Sequence, residues 1–228
     1  MGATHVGRTL DENGDPLPET GFEVEPDGDL AETLRERTGP LVSNPVSGEW
    51  VAELESPEDT GGEYHSALYL IDGAGPPEHY HVGYEETFEV ISGELTVVVD
   101  GTPHRVPAGE SCTVPAETVH KPRYDGDDFA AAIGTVKPPG KTLTIIKTLF
   151  GLAHEGQLSD SGQPKLLQGM VWTDALADDS VFTSPPPAVT HPLATVLAPI
   201  GRRFGYQTTY PKYEDPEFWE RRVEQPSL

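Results

Sequence analysis

The chain has 228 residues, 36% of them hydrophobic and 23% charged, with 38 acidic against 15 basic side chains and a formal net charge of −23. That balance argues against a nucleic-acid partner, because a polyanionic surface repels phosphate, and no apolar run approaches the roughly 18 residues a membrane helix needs. The single cysteine, Cys112, excludes an internal disulfide and fits a reducing, cytoplasmic location, where a small packed side chain is its expected role.

Residues 1–29 are rich in Gly, Pro, Asp and Glu and show no period, so a mobile or loosely packed acidic arm is expected. They contain no apolar core of the kind a secretory signal has. Gly2 is followed by Val6 rather than Ser or Thr at the sixth position, so acylation there is not expected. Asp29 to Arg37 reads as one short helix, with Asp29 and Glu32 as a start signal and Gly39-Pro40 as the stop.

From residue 45 the period changes to two. Glu49 to Glu55 alternates, with Trp50, Ala52 and Leu54 read as inward, and Tyr64 to Ile71 is a second strand. Short strands follow at 79–81, 86–90, 95–99, 104–106, 112–114, 119–124 and 129–136, with Asp100-Gly101 as a two-residue turn. About eight short strands with turns every 8–12 residues is the pattern of a sandwich or barrel. After Pro138-Pro139-Gly140 the period becomes helical. Residues 142–154, 165–176 and 190–204 are three expected helices, the last with Leu193, Val196, Leu197 and Ile200 as its buried face. Three parts result: an arm over 1–44, a β-barrel over 45–138 and an α-helical extension over 139–228. The extension is expected to pack on the barrel or on a second copy, making a homodimer one possible partner state.

The chemistry is concentrated in GAGPPEHYHVGYEETFEVISG, residues 73–93. Residues i and i+2 of a strand face one side, so the imidazoles of His79 and His81 stand together. Glu86 shares a face with Phe88 and Val90, and a carboxylate on an apolar face is costly unless paired or bound to a metal. Glu85, one residue earlier, is the competing choice and is read as solvated. Gly93 sits where a turn needs positive φ. Downstream, Gly109, Pro115 and His120 repeat a strand–turn–strand pattern and offer a fourth ligand. Two imidazoles and a carboxylate on one inner face, joined by a third imidazole, make a ligand set for a divalent transition metal. His5, His65, His104, His154 and His191 have no such company. Tyr64, Tyr69, Tyr124 and Arg123 are further pocket candidates, with packing or exposure the expectation for each. Phe88, Val90 and Val114 are read as a dry wall beside the site.

These two segments resemble the two sequence motifs of the cupin superfamily, of the small single-barrel, quercetinase-like kind. The first matches at Gly73, His79, His81, Glu86 and Gly93, the second at Gly109, Pro115 and His120. The second departs where the family commonly has Gly, here Glu117, and Asn, here Tyr124. The resemblance covers roughly residues 45–136. It implies a mainly β, double-stranded β-helix (jelly-roll) barrel with metal bound by His79, His81, Glu86 and His120. Fe, Mn, Ni, Co and Zn are not distinguished, although a tetrahedral structural zinc suits the set less well. The implied activity is that of a metal-dependent oxygenase of a small enolic, diol or aromatic substrate, with Glu86 loosening to act as base. A metal-dependent isomerase, lyase or decarboxylase of a small sugar or oxoacid, and a non-catalytic small-molecule-binding barrel, are the alternatives. The acidic surface resembles that of proteins from salt-adapted organisms.

Overall fold

The structure is a computed structural model that describes residues 3–228. Gly2, and with it the question of acylation, lies outside them. The chain opens on a two-stranded antiparallel ribbon, β1 (Thr4–Val6) with β2 (Phe22–Val24), followed by helix α1 (Asp29–Arg35). Asp29 and Glu32 lie in its first turn, where carboxylates complement the helix dipole, and Gly28 takes the capping position.

Eleven further strands form the barrel. They are β3 (Val42–Asn44), β4 (Glu49–Glu55), β5 (His65–Ile71), β6 (His79–His81), β7 (Glu85–Ser92), β8 (Glu94–Val99), β9 (Thr102–Pro107), β10 (Ser111–Val114), β11 (His120–Arg123), β12 (Ala130–Lys137) and β13 (Ser180–Phe182). One sheet has the order β10-β7-β12-β5-β4-β3 and the other β13-β6-β11-β8-β9, all neighbours antiparallel. This is the expected mainly β, jelly-roll architecture with helices at the C-terminal end. Gly93 links β7 to β8 at φ 75, and a Cβ there would lie 2.8 Å from the Phe129 carbonyl oxygen, so glycine is required twice over.

Register places one continuous face of the six-stranded sheet around the site. Glu86, Phe88 and Val90 of β7 pair with Val136, Gly134 and Ala132 of β12. Gly134 and Ala132 pair in turn with Ala67 and Tyr69 of β5, and Tyr69 pairs with Val51 of β4. Trp50, read from alternation as inward, is buried on the opposite face. Its indole donates to the Gly7 carbonyl at 2.8 Å, and its ring meets Phe22 edge-on at 5.1 Å. Ala52 follows it by alternation, and Leu54 sits where the β4–β5 register shifts. A strand buried on both faces does not reveal by alternation which set faces the cavity.

The N-terminal arm is anchored, not mobile. Val6, Phe22 and Val24 are buried, the Arg8 guanidinium pairs with Glu224 at 2.6 Å, and the Leu10 amide donates to the Arg222 carbonyl at 2.9 Å. Strands of three residues are too short to show a period in sequence, and the segment that anchors Arg8 and Leu10 lies more than 200 positions away.

The extension holds α2 (Thr142–His154), α3 (Leu166–Ala175), α4 (Pro187–Arg203) and the short α5 (Pro216–Glu220). Helix α2 lies along the edge strand β3. Lys147 reaches Glu53 of β4 at 3.0 Å, and His154 meets Ser43 of β3 at 3.1 Å. An otherwise open sheet edge is thereby covered. Of the face expected to be buried on α4, only Leu197 is partly covered within the chain. Ala194, Ala198 and Gly201 face inward, whereas Leu193, Val196 and Ile200 are 44%, 62% and 43% exposed. A Cβ on Gly201 would lie 2.9 Å from Val171 of α3, so close helix approach selects the small residues for the interface and turns the large ones outward. No helix among the described residues is long and apolar enough to cross a membrane.

His154 gives the fold an acid sensitivity. Burial, with the Arg222 charge, lowers its pKa from 6.5 to about 4. Between those values the unfolded chain binds a proton that the folded chain refuses, so this contribution to stability is lost as pH falls from about 6.5 towards 4. The loss is on the order of 2–3 kcal/mol. Chemical denaturation at pH 7 and pH 5 is expected to show a drop that His154→Gln reduces; an equal drop in both proteins would contradict it.

Candidate metal centre

Strand geometry brings all four expected ligands together. His79 and His81 come from β6, His120 from β11 and Glu86 from β7, and each offers one ligand atom within 4.8 Å of the others. All four side chains are buried and Glu86 joins the cluster, whereas Glu85 is exposed. His120 is directly opposite His79 in register, with ring centroids 4.4 Å apart.

The outward ring nitrogens are committed. Nδ1 of His79 donates to the Pro77 carbonyl at 2.8 Å, and Nδ1 of His120 donates to the Thr118 carbonyl at 3.0 Å. Nδ1 of His81 lies 3.0 Å from Ser180 Oγ. Fixing Nδ1 as donor leaves Nε2 with its lone pair turned inward. Nε2 of His81 and of His120 stand 3.2 and 3.1 Å from Glu86 Oε2. With a proton on each Nε2 these contacts are hydrogen bonds to Glu86; with the lone pairs inward, imidazoles and carboxylate repel unless a metal cation stands among them. The donor set of three imidazoles and one carboxylate therefore fits a divalent transition ion.

Without an ion, the clustered groups shift one another's titration. His79 is pushed down to about 3 by burial and by the charges of His120 and His81, so it is neutral at pH 7. Burial alone would raise Glu86, but hydrogen bonds and charge from His120 and His81 hold it well below the usual carboxylate range.

The extension supplies part of this centre. Strand β13 pairs with β6, setting Ser180 against His81 and Phe182 against His79. Ser180 Oγ lies 2.9 Å from Asp179 Oδ1 and 2.7 Å from the Tyr84 hydroxyl, and Tyr84 also lies 2.8 Å from Thr142 Oγ1. Asp179 Oδ2 accepts from the Lys141 amide at 3.0 Å, and the Tyr84 ring stacks on His81 at 4.3 Å. His81 is thus fixed from behind by Tyr84, Asp179 and Ser180. Ser180 and Asp179 are not legible in sequence, because Ser180 lies 99 positions from the histidine it orients.

A cavity of about 430 Å³ opens beside His79, His81 and Glu86. Its walls are mostly apolar: Phe88 from the barrel, and Ile145, Ile146, Leu149 and Phe150 from α2. Of the expected dry wall, Phe88 borders the cavity, while Val90 and Val114 are buried away from it. Of the four further pocket candidates, Tyr69 lines it and Tyr64, Tyr124 and Arg123 do not. At the second motif Glu117, standing where glycine is usual, takes φ 61, and its amide donates to the His81 carbonyl at 2.6 Å, so the turn keeps its shape.

Residues 68–136, which hold all four candidate ligands, match the family model described as the cupin domain. The quercetin 2,3-dioxygenase of Bacillus subtilis (strain 168) is 27% identical over 139 residues, covering 58% of this chain and 38% of that protein. The chain thus spans well under half the length of that relative. Among solved structures, KdgF from Halomonas sp. is 17% identical at a TM-score of 0.37, over 42% of this chain and 84% of that one. A predicted oxalate decarboxylase from Thermotoga maritima is 20% identical at a TM-score of 0.39, over 46% and 95%. The match to the cupin domain thus covers the part of the barrel that carries both motifs and the four clustered side chains.

Proposed function

We propose that the chain is a metal-dependent oxygenase of a small enolic, diol or aromatic substrate, with one divalent transition ion held by His79, His81, Glu86 and His120. The observation that carries this reading is the convergence of four buried ligand atoms within 4.8 Å, at the side of a largely apolar cavity of about 430 Å³. A structural site would be closed; this one borders space for a ligand. The match to a quercetin 2,3-dioxygenase over part of its length supports the oxygenase form.

Each side chain has a distinct task. The three imidazoles are neutral donors and Glu86 brings one negative charge, so a dication leaves the site at net +1 and an enolate or catecholate is drawn in. When bound, a redox-active ion of this kind supplies Lewis acidity and electron exchange with dioxygen. Phe88, Ile146 and Leu149 keep water from competing for the substrate. Glu86 Oε2 takes both imidazole contacts, and Oε1 is the oxygen to which the substrate hydroxyl passes its proton.

Ser180→Ala removes the group behind His81 and is expected to weaken metal binding about 10–100-fold, read by competition with a chelator. Unchanged affinity would mean that β13 does not position the ligand. The functional reading itself is tested by screening enolic and catecholic compounds in air and under argon with the metal identified. Consumption with O₂ uptake is expected. Equal consumption under argon would replace it with an isomerase, lyase or decarboxylase, and binding without consumption with any first-row ion would make the chain a binding protein.

A further inference from the structure

Tyr69 lies at the middle of β5 on the face that carries Glu86, and its ring borders the cavity. The residue is only 9% exposed, and its hydroxyl is sealed from solvent without a hydrogen-bond partner. A buried hydroxyl of that kind is costly, and its persistence asks for a partner that arrives from outside the protein.

The ring's direction follows from its seat. A Cβ on Gly134 would lie 2.5 Å from Cε2 and 2.9 Å from Cδ2 of Tyr69. Only glycine at that position lets the ring lie across β12. Gly134 pairs on its other side with Phe88, two residues from Glu86 on β7. The ring therefore leans from β5 over β12 towards the strand that carries the metal-binding carboxylate. The negative charge of Glu86 adds to burial in raising the phenol's pKa, so Tyr69 stays protonated and is a donor across the working range of pH.

We propose that Tyr69 is the cavity's hydrogen-bond donor, giving its phenolic hydrogen to an acceptor oxygen, carbonyl or enolate, of a ligand held at the His79–His81–Glu86–His120 centre. This rests on the reading of that cavity as a substrate site and narrows its ligand class. The molecule is largely apolar, to match Phe88, Ile145 and Leu149, and carries an acceptor oxygen on the side facing β5. The O–H group, unlike the aromatic ring, contributes nothing to packing, so it acts on which ligands bind.

Tyr69→Phe tests this in the metal-loaded full chain, with 4-nitrocatechol as a chromophoric chelating probe under argon. Metal content is expected to stay the same and affinity for the probe to fall about 10–100-fold, the range for a hydrogen bond to a charged oxygen. Without the probe, the melting temperature is expected to hold or rise by a few degrees, because an unpaired buried hydroxyl has been removed. Equal affinity in the two proteins would overturn the proposal alone. A melting temperature lowered by several degrees would also overturn it, since the hydroxyl would then have a partner within the protein. Failure of both proteins to bind the probe would overturn the reading of the cavity, and this proposal with it.

Discussion

Deletion of residues 140–228 is expected to leave a barrel that aggregates and holds less than about a tenth of its metal. Two separate losses produce this. Without β13, strand β6 becomes an unpaired sheet edge, and His81 loses the hydroxyl that orients it. Without α2, the cavity loses Ile145, Ile146, Leu149 and Phe150, and the barrel interior opens to water along β3. Either loss alone weakens the site, and together they remove its floor and one wall. The C-terminal residues also tie down the N-terminal ribbon through Arg8–Glu224, so the damage extends to the far face. Metal analysis and light scattering of the truncated chain check this. A soluble, metal-loaded truncation with the melting temperature of the full chain would make residues 140–228 an appendage.

Glu86→Gln carries the second large effect. The amide keeps the size of the carboxylate and an oxygen for the ion, so part of the metal is expected to remain. It cannot accept a proton and removes the negative charge from a fully buried centre. Turnover of the compound found in the aerobic screen is expected to fall about 10²–10⁴-fold, the usual weight of a general base. The comparison is made per bound ion, so that weaker loading does not count as lost chemistry. Undiminished turnover per ion would assign the base to another group and leave Glu86 as a ligand only.

The clustering of His79, His81, Glu86 and His120 was legible because its signal is local. His79-x-His81 and Glu86-x-Phe88 are strand patterns of two or three residues, and spacing alone puts them on one face. Glu86 over Glu85 followed from the same alternation, since Phe88 shares its face. Three helices of the extension were legible too, with α2 beginning and ending where its period does, whereas the short α5 was not expected. The rest depended on contacts between distant parts of the chain. Ser180 opens, and Asp179 directly precedes, a three-residue strand whose partner is β6, about a hundred positions earlier, and no periodicity points from one to the other. The face of α4 was misread because packing selected Ala194, Ala198 and Gly201 for closeness, which hydrophobicity does not encode. The ribbon β1–β2 was misread because its strands are too short to show alternation. Tyr69 appeared only as one of several pocket candidates. The seat that Gly134 gives it needs the register of β5 and β12, which follows from the whole sheet.

The most direct test is the metal content of the purified full chain, measured by plasma emission beside a His79→Ala, Glu86→Ala double variant. About one divalent transition ion per chain is expected in the wild type, as four convergent ligands form a single site. Near-zero occupancy is expected in the double variant, together with a lower melting temperature, because the bound ion stabilises the folded state by mass action. Full occupancy of the double variant would contradict the assignment of His79, His81, Glu86 and His120 as the site.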